Sequence, residues 1–338
     1  MPRQLATIRA IAKLTPIKGA DRIELASIDG WQCVVKKGEF NVGDYCAFFE
    51  IDSSLPEHSA FGFLKAGQRR RLKTVKLRGQ LSQGLALPWK NFPELCSNGR
   101  GNELLLDYEL GADITEVLGV TKWEPTLSAS LGGIVRSTFP SGIVPKTDEE
   151  RVQNCASEIK ALQGKPYDIT IKLDGTSFTF IHEFDGNKHV CSRNQDLSYS
   201  DNAYWKAAKN CESIEPGYAI QGELCGPGIQ KNRLDLDKLG LFVFNVWSLD
   251  AEGPPIKLSY ADALQFCVER GLKMVPLLES GEDFQYTREQ LLEMAEGKYD
   301  GTNNEREGIV IRLQGATVPE DALSFKAISN RFLLGCGH

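Results

Sequence analysis

The sequence predicts an α+β protein in two parts, an all-β barrel of short strands followed by a larger unit built on a mainly antiparallel sheet. Three observations lead there. Up to about residue 110 the apolar residues fall in short runs separated by turn signals. From Thr138 onward, strand-like runs alternate with segments that carry helix-start signals, and a stretch with linker chemistry lies between the two parts.

The first runs are Ala6 to Leu14, Arg22 to Val35, Tyr45 to Ile51, Leu72 to Leu77 and Leu85 to Trp89, with Asp29-Gly30, Lys37-Gly38 and Arg78-Gly79 between or beside them. About five strands in a segment of this size fit an OB-like barrel. Lys122 to Gly133, with Pro125, serines and Gly132-Gly133, favours turns over packed elements, so the expected division is 1–120 barrel, 121–137 linker and 138–338 second unit. In that unit Thr147-x-x-Glu150, Ser259-x-x-Asp262 and Thr287-x-x-Gln290 each place a side-chain oxygen where it can cap a helix N-terminus. The strand candidates are Asp168 to Leu173, Ser177 to Glu183, His189 to Ser192, Tyr218 to Leu224, Leu241 to Ser248, Lys273 to Leu277 and Gly308 to Leu313.

Composition removes several function classes. The chain has 338 residues, 41% hydrophobic and 25% charged, without an apolar run of membrane-spanning length or a basic-then-apolar start. An intracellular protein away from membranes is expected. Nine cysteines without a C-x-x-C pair read as reduced thiols, and none of the four histidines stands at zinc-ligand spacing. The net charge of -6 hides a basic run from Lys65 to Arg78, with Arg69, Arg70, Arg71, Lys73, Lys76 and Arg78 and no acidic residue. A strand there with a positive polar face would suit a phosphate backbone, although lysines on an edge strand also deter aggregation.

The chemistry centres on Lys172-Leu173-Asp174-Gly175, which follows the β-rich run Tyr167 to Ile171. Lys172 should emerge at a strand end beside a tight turn, where a glycine permits a phosphate to approach the backbone. Such a short motif is weak alone. Downstream, in order, come Ser192-Arg193-Asn194, Gly222-Glu223-Leu224, Phe242-Val243-Phe244, Glu307-Gly308-Ile309-Val310-Ile311-Arg312 and Ser324-Phe325-Lys326. This set resembles the motifs of the covalent nucleotidyltransferases, the ligases that use ATP or NAD and the RNA capping enzymes. Adding Phe139-Pro140, the run Lys146 to Asn154 and the ending Ser324 to Phe332, the chain is similar to the Deinococcus-type ATP-dependent RNA ligases, with an N-terminal OB module and a nucleotidyltransferase domain.

The resemblance implies that Lys172 attacks the α-phosphate of ATP, that AMP passes to an RNA 5'-phosphate, and that a 3'-hydroxyl then displaces AMP at a nick in an RNA-containing duplex. It also implies that Glu223 holds the ribose and that Phe244 stacks on adenine, a role in competition with core packing. The expected partner is RNA and the expected state a monomer. Two competing readings are a DNA ligase or GTP-dependent capping-type enzyme, and a non-catalytic OB-type nucleic-acid binder. The chain stops twelve residues after Lys326, which is expected to favour RNA ligase over enzymes with a C-terminal OB domain.

Residue chemistry gives separate reasons. A lysine amine with a pKa of about 10.4 is almost wholly protonated at neutral pH, so its surroundings should lower that value. A divalent cation, Mg2+ or Mn2+, would do so, and Glu307 and Asp174 can hold it through water. Lys326 would offset charge on the α-phosphate, and Arg193 and Arg151 offer bidentate phosphate contacts, with Arg151 expected in the first turns of a capped helix. Gly175 completes the nucleotide set. Two departures stand out: Ile328 occupies the place of a second motif lysine, so that either one lysine suffices or Lys231 or Arg331 supplies the charge, and Ile171 offers adenine no side-chain acceptor. A backbone carbonyl within 143–146 is the expected adenine reader.

Overall fold

The computed structural model describes residues 3–99, 104–123, 133–315 and 323–335, and the chain divides into a unit of residues 1–126 with 333–338 and a unit of residues 127–332. The core of the expected linker, 124–132, lies outside the described residues.

The first unit holds strands β1 (Ala6–Ala10), β2 (Lys13–Pro16), β3 (Ile23–Ile28), β4 (Trp31–Lys36), β5 (Tyr45–Phe49) and β6 (Ser53–Ser54), helix α1 (Ala66–Arg70), then β7 (Val75–Leu77), β8 (Gln80–Ser82), β9 (Leu85–Pro88), β10 (Cys96–Asn98), β11 (Leu104–Leu106) and β12 (Thr121–Lys122). Its two three-stranded sheets run β1-β5-β9 and β2-β3-β4. The expected strand from Ala6 to Leu14 is two strands because the chain changes partner midway. Ile11 donates to the Asp44 carbonyl and Ala12 to the Ser27 carbonyl, which carries the strand from one sheet to the other. The run Arg22 to Val35 is likewise a hairpin: Asp29 and Gly30 have φ of 45° and 82°, the left-handed pair that a two-residue turn requires. β5 is buried on both faces. Cys46 and Phe48 pack with Trp31 and Val35, while Ala47 and Phe49 pack with Phe61 and Phe92, which accounts for its unbroken apolar run.

The second unit contains β13 (Val135–Thr138), β14 (Glu150–Arg151), α2 (Ala156–Leu162), β15 (Tyr167–Lys172), β16 (Thr176–His182), β17 (Lys188–Cys191), β18 (Gln195–Leu197), α3 (Ala203–Ala208), β19 (Tyr218–Cys225), β20 (Gly240–Ser248), β21 (Ile256–Lys257), α4 (Tyr260–Glu269), β22 (Lys273–Met274), β23 (Leu277–Gly281), α5 (Arg288–Met294), β24 (Gly308–Leu313), β25 (Ser324–Ile328) and the start of α6 (Asn330–Gly335), whose last residues fall in the first. One sheet runs β13-β18-β17-β16-β19-β20-β21, with β22 also on β20; the other runs β14-β25-β24-β15-β23. All pairs are antiparallel except β14 with β25 and β20 with β22. The larger sheet buries Phe178, Phe180, Ile220 and Val243 with residues of α3 and α4, and the smaller buries Ile169, Ile309, Ile311 and Phe325 with residues of α2 and α5.

The Ser259 and Thr287 side chains cap α4 and α5 as the spacing predicts. Thr147-x-x-Glu150 does not start a helix. Glu149 accepts a hydrogen bond from the Ser324 hydroxyl, Glu150 accepts from the Arg151 N–H and Asn154, and residues 150–151 pair with β25 instead. Tertiary partners outcompete the local cap, so Arg151 sits on a strand rather than on a helix.

Candidate active site

Lys172 is the last residue of β15, and its backbone pairs with Gly308 at the start of β24. Glu307 immediately precedes that pair, and its carboxylate accepts a hydrogen bond from Lys172 Nζ at 2.8 Å. Beyond the turn, β16 lies against β19, with Ser177 opposite Glu223. Gly175 N–H donates to Glu223 Oε1 at 3.1 Å. A Cβ on Gly175 would stand 2.4 Å from the Leu224 carbonyl oxygen, so the glycine is required first by the approach of β19.

These contacts bring Glu307, Glu223 and Asp174 around one ammonium. Burial pushes the Lys172 pKa down, but the Glu307 carboxylate, then Glu223 and Asp174, outweigh it, and the net direction is upward from the ordinary value. The expectation of a lowered lysine pKa is therefore not met by the protein alone, because carboxylates surround the amine. Burial also pushes Glu223 up to about 7, against the pull of Lys172. Asp174 is raised as well, first by burial and then by Glu307, while Arg233 opposes the shift.

Lys326 stands on β25, in the cross-strand row of Thr170 and Val310, two positions along from the row Lys172, Gly308 and Ile328 and so on the same face of the sheet. Ile328, in the place of the second motif lysine, is buried at 4% exposure. Arg151 is the register partner of Lys326 on β14 and is also buried. Arg193, in the turn between β17 and β18, meets Asp148 at 3.0 Å, and Lys326 approaches the same carboxylate at 3.8 Å. The two cations thus come from different sheets to one acidic side chain.

β20 bulges between the pairs Gln221 with Asn245 and Gly222 with Val243, which leaves Phe244 unpaired. Its half-buried ring lies 6.0 Å from the Arg312 guanidinium and packs against the cluster of Leu173, Cys225, Val275 and Tyr299. Among the carbonyls of 143–146, that of Pro145 accepts from Gln221 Nε2 at 2.7 Å.

Among the described residues no three acidic, histidine or cysteine side chains form a ready metal cage. Glu307 and Asp174 instead fit an ion that takes one or two carboxylates and completes its shell with water and phosphate, as Mg2+ does. The carboxylate excess around Lys172 is the observation that favours such a cation.

Several contributors were invisible in the sequence pattern. Arg233 Nε donates to Asp174 Oδ2 at 3.0 Å, and Tyr299 hydrogen-bonds to the Lys172 carbonyl and the Asp174 N–H at the turn after β15. Neither proposed substitute cation is seen at Lys172: Lys231 is exposed, and Arg331 lies 3.8 Å from Glu296. The basic run of the first unit is not one strand. Arg69 and Arg70 end α1, Arg71 pairs with Asp52 and lies over the Trp123 ring at 3.8 Å, and only Lys76 lies within β7. Lys73, Lys76 and Arg78 are exposed. A separate groove of about 570 Å³ in this unit is mainly apolar, lined by Phe63, Leu77 and Leu85 with Lys36 and Glu39 also on its wall, and holds none of the Lys172 chemistry.

Comparison with known families and structures gives a consistent result. An OB-fold domain family matches residues 5–89, and an RNA ligase family matches residues 165–328. No curated protein matches. Among solved structures, an apo variant of Naegleria gruberi RNA ligase is 38% identical, with 98% of each chain covered and a TM-score of 0.82. A variant of the same ligase with ATP and Mn is 39% identical over 97% of this chain and 98% of that one, with a TM-score of 0.80. The Naegleria ligase with PPi is also 39% identical over 98% of each, with a TM-score of 0.80.

Proposed function

Because the chain belongs to the ATP-dependent RNA ligases that carry an N-terminal OB-fold module, we propose that it seals 3'-hydroxyl and 5'-phosphate RNA ends at nicks in duplexes through a lysyl-AMP on Lys172. The observation that carries this reading is the meeting of Lys172, Glu307 and Glu223 at one strand end. The Naegleria complexes with ATP, AMP, Mn and PPi support ATP as substrate and a divalent cation as cofactor.

In the first step the Lys172 amine, having lost its proton, forms an N–P bond to the α-phosphorus while the bond to the β-phosphate oxygen breaks and pyrophosphate leaves. An oxygen of the RNA 5'-phosphate then attacks the same phosphorus and releases the lysine. Finally the 3'-hydroxyl attacks the RNA phosphorus, and AMP departs. A bound divalent cation supplies positive charge that offsets both the carboxylates and the phosphates. Lys172 must exchange its ion pair with Glu307 for the α-phosphate, and Glu307 with Asp174 would hold the cation. Lys326, still protonated, stabilises charge on the α-phosphate. Arg193 and Arg151 bind phosphate oxygens, Glu223 accepts from ribose hydroxyls, and Phe244 stacks on adenine.

The unit of residues 1–120 then carries the duplex, 121–137 acts as linker, and 138–338 performs the transfers. Lys73, Lys76 and Arg78 are the exposed cations suited to phosphate, with Arg69 and Arg70 beside them, while Arg71 is already committed to Asp52 and Trp123. Changing Lys76 and Arg78 together to alanine should weaken nicked-RNA binding and flatten its salt dependence by about one unit of slope for each phosphate no longer neutralised. Lysine adenylylation should be unaffected. Binding isotherms at several salt concentrations, with unchanged slopes, would remove the module from this role. The substrate class is tested by comparing nicks whose 3'-hydroxyl end is RNA with nicks whose end is DNA; equal sealing of both would defeat the RNA assignment.

A further inference from the structure

We infer that Tyr299 is a positioning residue for the attacking lysine, acting through the backbone of the nucleophile turn. The Tyr299 hydroxyl donates to the Lys172 carbonyl at 3.0 Å and accepts from the Asp174 N–H at 2.9 Å and from the Glu307 N–H at 3.0 Å. One donor and two acceptor positions are all that a hydroxyl offers, and all are used. The ladder between β15 and β24 ends at the pair Lys172 and Gly308. Past that pair the strands separate, and the phenol oxygen stands where the next cross-strand hydrogen bonds would be. It joins the residue that attacks to the residue that faces it.

The ring is held independently of the hydroxyl. Tyr299 is 6% exposed and packs with Leu173, Cys225 and Val275. Its own loop closes on itself, with the Tyr299 N–H donating to the Asn304 carbonyl and the Thr302 N–H donating to the Tyr299 carbonyl. Asn304 Nδ2 then donates to the Arg233 carbonyl and to Asp235, and Arg233 donates to the Asp174 carboxylate. The turn after Lys172 is consequently gripped twice, at its backbone by Tyr299 and at the Asp174 side chain by Arg233. A phenylalanine at 299 would keep the packing and leave two N–H groups and one carbonyl without this partner. The nucleophile and Glu307 would then lose their fixed spacing, and a displacement on the ångström scale at an attacking atom is worth about 100-fold in rate.

This inference rests on Lys172 as the adenylylated residue, and the experiment separates the two. Full-length Tyr299→Phe is assayed for lysine adenylylation in single turnovers over a range of ATP concentrations, and separately for closing a nick that already carries a 5'-adenylate. The second reaction does not use Lys172 as nucleophile. The expected result is a maximal adenylylation rate lowered about 10- to 100-fold, a half-saturating ATP concentration within about twofold of wild type, and closure of the pre-adenylylated nick largely retained. Equal losses in both reactions would show a general structural role, and no loss in either would show none; each outcome overturns the inference. If Tyr299→Phe is insoluble, Asn304→Ala reads the same selectivity, since it loosens the loop that carries the phenol. Equal or absent losses there overturn it too. Lys172→Ala runs in parallel, and an enzyme that still becomes labelled would instead remove the lysine assignment.

Discussion

Lys172→Ala should abolish adenylylation of the protein and the sealing of 5'-phosphorylated nicks, a loss of at least ~10⁴-fold, while closure of a pre-adenylylated nick persists. Removing a covalent nucleophile leaves no lower-barrier path for the first transfer, and the remaining binding groups cannot replace the bond it forms. Lys172→Arg should be as inactive, because a guanidinium is never deprotonated in this range. The backbone of the site should survive both changes, since the Tyr299 contact is to the Lys172 carbonyl and the ladder partner is Gly308. Gel or filter assays with α-labelled ATP on protein first cleared with pyrophosphate measure the first step. Sealing with and without a pre-formed adenylate separates it from the last.

Glu307→Ala is expected to lower adenylylation by about 100- to 1,000-fold, the usual cost of one electrostatic contributor to a transition state. Two effects oppose each other here. Without Glu307 the ammonium loses its 2.8 Å ion pair, which by itself would raise the fraction of neutral amine. That gain starts from well under a thousandth of the lysine being neutral at pH 7, and Glu223 and Asp174 still favour the charged form. The loss of a carboxylate that would hold the divalent cation outweighs it. Titrating Mn2+ against the initial rate gives the check: Glu307→Ala should need more metal and remain slow at saturation. A variant as fast as wild type would place the cation elsewhere.

Much of this site was legible in the sequence because its motifs are short strand-and-turn segments. β24 was found at its own bounds, Gly308–Leu313, since a strand buried along most of its length reads as an unbroken apolar run. Lys172 fell at a strand end because Asp174-Gly175 follows a β-branched stretch. What failed were features set by distant partners. Thr147-x-x-Glu150 has the local signature of a helix start, yet Glu149 and Glu150 serve Ser324, Arg151 and Asn154. The basic run looked continuous from Lys65 to Arg78, but Arg71 is drawn to Asp52 and Trp123, and the chain bends into α1 before it and β7 after it. Tyr299 lies 127 residues from Lys172, and only the fold brings its hydroxyl to that carbonyl. Arg233 had no signal of its own beside the more obvious Lys231.

The same separation between local pattern and tertiary context governs the lysine itself. The motifs identify an amine beside a glycine turn and the carboxylates that follow it, whereas the fold brings Glu307, Glu223 and Asp174 around that one amine and raises its pKa against burial. In the proposed mechanism, exchange of the Lys172–Glu307 ion pair for phosphate would link nucleotide binding to activation.

The most direct test of the account is to locate the adduct. Wild-type protein treated with pyrophosphate, then with ATP and Mg2+, is denatured under conditions that preserve a phosphoramidate, digested, and sequenced by mass spectrometry. One adenylyl group on Lys172, removed again by pyrophosphate in the native protein, is the predicted result. An adenylyl group on another residue, or no adduct on folded protein that seals RNA with ATP, would contradict it.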